Sequence, residues 1–175
     1  MTRRATLAIS TFALILMSQN ASAQGSQGAS LAAGAAIPVA DLANTAGTGY
    51  DINFQVRTQP MIGSLAIRID ISYDHLAGKA GIDNTTISAQ TLGLVGDISS
   101  RFYWTAGAGR YQSTDVTQVA GHNVNDQRSY FGAQAALGVN IPVFRWQGFL
   151  EASAVRLFTP GEIKMYVPLR FGIRL

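Results

Sequence analysis

From residue 27 onward, apolar and polar residues alternate with a period of two, the spacing that puts successive strand side chains on opposite faces. Tyr50, Ile52, Phe54 and Val56 alternate with Asp51, Asn53, Gln55 and Arg57, and no face of a helix gathers those four apolar residues. The next segment repeats the pattern, with Leu65, Ile67, Ile69, Ile71 and Tyr73 on one side and Arg68, Asp70, Ser72 and Asp74 on the other. Gln59-Pro60-Met61 between them is a turn, because proline cannot donate to a ladder. Extended along the chain, the count predicts strands near 27–38, 48–58, 63–75, 85–96, 101–113, 129–141, 147–158 and 163–175, with no helix. An even set of consecutive antiparallel strands predicts an all-β fold, an eight-stranded antiparallel up-and-down barrel. Short connections at 57–63, 96–101 and 141–147 alternate with longer polar ones at 39–47, 76–84 and 112–128. Transmembrane barrels have this asymmetry, with short periplasmic turns and longer external loops. Thr159-Pro160-Gly161-Glu162 is a tight exception on the external side.

Two strands fit the alternation poorly. In 85–96, Ile87, Ala89 and Val95 share one parity and Leu92 and Leu94 the other, which points to a bulge or a misassigned register. In 148–158, either Glu151 or Arg156 must face out. An arginine stem can snorkel to the headgroups, so Glu151 is placed inward and Arg156 outward near the external rim.

Alternation alone does not separate a membrane barrel from a soluble, exported, lipocalin-like ligand-binding barrel. A water-facing side is dense in Lys and Glu, whereas the polar side here carries Gly28, Ser30, Ala32, Gly34, Gly107, Gly109, Gly132, Gln134, Ala136, Gly138 and Gly172. Small groups suit a crowded interior, since eight strands enclose a lumen just wide enough for side chains to fill. Tyr50, Tyr73, Tyr111, Tyr130 and Phe158 fall near the external strand ends, and Phe102, Trp104, Phe144 and Trp146 near the periplasmic ends, as interfacial girdles do.

Composition bears on compartment and chemistry. Arg3 and Arg4, the apolar run Ala5–Met17 and the Ala21-Ser22-Ala23 site form a signal peptide over residues 1–23, leaving 24–175 as one barrel domain. Its removal takes two arginines from the 13 basic groups and none of the 10 acids, leaving 11 against 10 and no case for nucleic-acid binding. With no cysteine there are no disulfides, thiol nucleophiles or Cys-ligated metals. Only 13% of residues are charged, against ~25% in an average soluble domain.

Several segments carry a family resemblance: Gly34-Ala-Ala-Ile-Pro38-Val-Ala-Asp41 running into Gly47-Thr-Gly-Tyr50, Thr105-Ala-Gly-Ala-Gly109-Arg-Tyr111, Phe149-Leu-Glu151-Ala, and Val167-Pro-Leu-Arg-Phe171-Gly-Ile-Arg-Leu175. In this order, after a signal peptide, they resemble the small outer-membrane β-barrels, the group of OmpX-like, Ail-like and OmpA-transmembrane-like proteins, over Ala29–Leu175. The resemblance implies a monomer in the cell outer membrane, contact with outer-membrane lipid and lipopolysaccharide, and assembly by the insertion machinery. That machinery reads a terminal aromatic residue in the family, and this chain departs by ending on Leu175. No peptidoglycan-binding domain is expected.

Pairing strands seven and eight across the tight turn sets Glu151 opposite Arg170. The expected interior is an ion-pair network of Glu151, Arg170, Arg68, Asp70, Arg57 and Asp51, acting as a structural plug or, alternatively, as a narrow pore. Lipid-modifying barrel enzymes use a His and Ser pair. Neither His75, beside Asp74, nor His122, between Gly121 and Asn123, has a serine at an activating spacing, so no catalytic residue is assigned and an enzyme remains the alternative. Gly107-Ala-Gly109 has no following helix to bind phosphate. Asp83, Asp115 and Asp126 are too scattered for calcium, and no cofactor or metal is expected. The segment Ser113–Arg128, with Asp115, His122, Asn125, Asp126 and Arg128, is the longest external loop and the candidate site for a surface partner, an adhesion-type role beside a structural one.

Overall fold

Eight antiparallel strands close into one barrel in simple sequence order in the computed structural model, which describes residues 28–119, 122–143 and 145–175. The signal peptide expected over 1–23, and Phe144 of the expected lower girdle, lie outside the described residues. The strands are β1 Gly28–Ala40, β2 Gly49–Arg57, β3 Leu65–Ala77, β4 Asn84–Asp97, β5 Phe102–Val119, β6 His122–Val143, β7 Trp146–Thr159 and β8 Glu162–Arg174, with β1 pairing β8 to close the ring. One turn of helix, α1 Leu42–Thr45, lies in the β1–β2 connection; no helix was expected there.

The faces sort by chemistry. In β2, Asp51 and Asn53 are fully buried while Ile52 is 48% exposed, and in β3 Arg68, Asp70, Ser72 and Asp74 are all buried. Leu31, Leu92, Leu94, Leu137, Leu150, Leu169 and Phe171 stand outward. The outer wall is apolar, and the charged side chains of the strands are gathered in the lumen beside apolar clusters, an arrangement unlike that of a soluble barrel, whose outer wall is polar. Arg156 faces out and stacks over Phe158 with 5.9 Å to the ring centroid, and Glu151 faces in.

Two expectations need correction. β4 carries no bulge: it pairs β3 from Leu65↔Gly96 to Ala77↔Asn84 and β5 from Asn84↔Val116 to Asp97↔Tyr103 without interruption. Ile87, Ala89 and Val95 simply point inward, because parts of the lumen are apolar. Nor is 113–128 a loop. β5 and β6 stay paired from Phe102↔Val139 to Val119↔His122, a ribbon that β4 flanks along β5 as far as Asn84↔Val116 and whose tip reaches past the other strands. Ser113–Val119 is rich in Thr and Val, which suit extended backbone, yet its polar faces hide any apolar period.

The lower end of the barrel holds Gly28, Arg174 and the short turns; the upper end holds α1, the β3–β4 loop, the ribbon and the turn at Thr159–Glu162. In that turn Gly161 adopts φ 78 after Pro160, the left-handed conformation that glycine takes without Cβ strain.

Candidate functional site

Mid-barrel, the strand registers line up one row of inward neighbours: Tyr103, Gly138, Glu151, Arg170, Gly34, Asp51 and Asp74. The two glycines leave gaps that adjacent side chains cross. Over Gly138 the Tyr103 hydroxyl donates to Glu151 Oε2 at 3.0 Å. Over Gly34 the Arg170 guanidinium donates from Nε and Nη2 to the two oxygens of Asp51 at 2.6 and 2.9 Å. Arg170 also reaches Glu151 at 3.5 Å. At the far end Tyr166 donates to Asp74 Oδ2 at 3.0 Å.

Arg68 completes the group from the opposite wall. Its Nη1 and Nη2 donate to Glu151 at 2.5 and 2.8 Å, and its Nε donates to Asp70 at 2.8 Å. Gln134 donates to Asp70 and to Thr91, at 3.3 and 2.9 Å, and Ser153 donates to Glu151 at 3.3 Å. Glu151 is thus the hub, held by two arginines, a tyrosine and a serine. Removing one partner of such a buried pair costs ~3–5 kcal/mol, since the other charge is then left uncompensated.

Of the six residues expected in the network, the structure brings Glu151, Arg170, Arg68, Asp70 and Asp51 together. Arg57 is apart: it forks onto Asp97 at 3.2 and 2.9 Å near the lower end. Asp74, Tyr103, Tyr166 and Gln134 join the group without having been singled out. Asp74 shares the parity of Arg68 and Asp70, a signal already present in the sequence. Tyr111 and Tyr130 are not girdle residues. Tyr111 is buried, and Tyr130 packs beside it under the Lys164 ammonium, 5.7 Å from the ring. What the strand period omits is that glycine holes receive aromatic knobs: a Cβ on Gly138 would meet the Tyr103 ring, one on Gly132 the Tyr111 ring, and one on Gly172 the Phe149 ring.

Apolar clusters cap the polar layer. Above it pack Ala36, Leu42, Leu76, Ile87, Val155 and Leu157; below it pack Ala32, Ala66, Val95 and Phe149. α1 supplies Leu42 to the upper cluster and is tied to the β3–β4 loop by Lys79 N–H donating to Thr45 O at 2.9 Å.

The five residues of the candidate surface segment all lie on the ribbon, Asp115 on β5 and His122, Asn125, Asp126 and Arg128 on β6. Asp115 and Asp126 face each other in register, and Asp115 accepts from Thr85 Oγ1 at 2.6 Å. Arg128 pairs with Asp126 at 2.6 Å, whose hydrogen bond and charge raise the guanidinium further above its ordinary value; exposed pairs like this add little stability. β7 pairs β6 only as far as Phe131↔Phe158, so His122–Tyr130 has an unpaired edge on that side. His75 stacks on Tyr50 with ring centroids 5.1 Å apart.

The eight-strand closed barrel matches known structures. The fold is similar to that of Ail, the attachment invasion locus protein of Yersinia pestis, at TM-score 0.61 and 13% identity over 85% of this chain and 98% of that one. The chain has the fold of the small outer-membrane barrels. Neisserial surface protein A is similar at TM-score 0.61 and 14% identity, covering 84% of this chain and 94% of that one. The N-terminal β-barrel domain of Pseudomonas aeruginosa OprF is similar at TM-score 0.59 and 12% identity, covering 87% and 100%. No protein-family model matches the chain, and no curated protein does.

Proposed function

We propose that this chain is a non-enzymatic barrel of the bacterial outer membrane that engages a surface partner through the β5–β6 ribbon, with its upper end facing the exterior. The observation that carries this reading is the ribbon: a polar extension with one unpaired strand edge at His122–Tyr130, held on a rigid scaffold. An open edge offers main-chain N–H and C=O groups to an added strand, so an extended segment of a protein partner is the chemistry it fits. Its side chains, Asp115, Asp126, Arg128, Asn123 and Asn125, add polar specificity without a one-sign patch. The likeness to Ail, an attachment invasion locus protein, supports the kind of protein rather than the partner.

A structural role rests on its own observation, the stacked apolar and ionic layers that fill the lumen; these support a plug over a conducting pore. The test replaces residues 114–127 by an Asn-Gly turn, joining Ser113 to Arg128, which already face each other in register. The variant is expected to keep the heat-modifiable gel mobility of a folded barrel and to lose adhesion. Unchanged adhesion, complement resistance and phage sensitivity would leave the structural role alone.

A further inference from the structure

At the lower end of the lumen, a cavity of about 20 Å³ is lined by Ser30, Gln55, Arg57, Arg68, Tyr103 and Arg174, among others, and by no carboxylate. Two of the three arginines are neutralised. Arg68 is saturated by Asp70 and Glu151, and the terminal nitrogens of Arg57 go to Asp97, which leaves its buried Nε without a partner. Arg174 is different. It donates to the neutral Asn140 and Gln147 at 2.7 and 3.5 Å and stacks over the rings of Tyr103 and Phe149 at 5.7 and 6.0 Å. Among the described residues no carboxylate forms an ion pair with it. The residues before Gly28 contain neither Asp nor Glu, so that segment brings no acidic side chain to the site. Gln55 Nε2, also buried on this wall, has no acceptor.

Arg174 is partly exposed at the barrel mouth, while Arg57 Nε and Gln55 Nε2 are buried; water would satisfy these donors, but an anion satisfies them and also supplies the counter-charge that Arg174 lacks. Size favours a small ligand, because a water needs about 10–15 Å³ of such space. We infer that this cavity is a binding site for one monovalent anion of halide size, chloride under ordinary conditions, held by Arg174, Arg57 Nε and Gln55 Nε2. The anion neutralises the lower lumen and ties β2 and β8 together there.

The test uses the whole barrel, folded in zwitterionic detergent. Crystals grown in sodium bromide should show an anomalous peak within hydrogen-bond reach of Arg174 and Arg57. Melting in sodium chloride should exceed melting in sodium gluconate of equal ionic strength, rising by about 3 °C per tenfold chloride once the site is half filled. Arg174→Gln, which keeps the neutral contacts, should abolish that dependence. A water without anomalous signal at the site, equal melting in the two salts, or a chloride effect undiminished in Arg174→Gln would overturn the inference. Should the variant fail to fold, the bromide map of the unaltered barrel decides alone.

Discussion

Glu151 shows what a single inward carboxylate does when the strand row supplies both its neighbours and its gaps. It sits beside Arg170 because residues 151 and 170 are register partners, yet its closest partner is Arg68, from a strand on the other side of the lumen. Glu151→Gln keeps shape and hydrogen bonding but leaves Arg68 without one of its two counter-charges. We expect a loss of about 3–5 kcal/mol, read as a lower melting transition in detergent by gel mobility or circular dichroism. Changing Arg68→Met, Asp70→Asn and Glu151→Leu together should cost less than Glu151→Gln alone, because Arg170 keeps Asp51 and no unpaired charge remains. A triple variant less stable than the single one would show that the ionic layer contributes net stability. The Glu151 to Arg170 pairing could be read from the sequence because a tight turn fixes the register between two strands. Arg68 to Glu151 crosses the lumen, and Arg57 to Asp97 depends on which lower turn the guanidinium meets; neither distance is encoded by alternation.

At the scale of the strand, the period of two shows which face is apolar, and it does so for β2, β3, β7 and β8 almost residue by residue. It fails in two physical situations. Where the lumen is itself apolar, as at Ile87, Ala89 and Val95 of β4, both faces are greasy and the parity looks broken although the register is continuous. Where the strand leaves the apolar surroundings, as in the ribbon, both faces are polar and an extended segment looks like a loop. Glycine positions carry the information that polarity lacks: Gly138 and Gly132 mark where Tyr103 and Tyr111 lie across a neighbouring strand. Gly138→Val would push the Tyr103 ring off Glu151. We expect a loss of about 1–3 kcal/mol, measured by melting, with the gel mobility of the folded barrel retained at low temperature. Gly161→Ala, by contrast, meets no neighbour but must adopt φ 78, so its cost is local to the turn and leaves the lumen unchanged.

For the whole molecule, the layered lumen and the one-sided lengthening of the strands set a direction. The ionic layer and the apolar cluster above it fill the middle of the lumen, so the barrel should show no steady conductance in planar bilayers. The orientation can be tested on the intact protein because the chain has no cysteine of its own, so any thiol introduced is the one that reacts. Asn125 lies exposed on the ribbon and Ser99 exposed in the short β4–β5 turn, at opposite ends of the barrel. If the ribbon faces outward, a membrane-impermeant maleimide added to whole cells should label Asn125→Cys and spare Ser99→Cys until the outer membrane is opened. The reverse pattern would put the ribbon in the periplasm and remove it from any surface partner. Equal labelling of both in whole cells would mean that the barrel does not separate two compartments, a result the apolar outer wall and polar interior argue against.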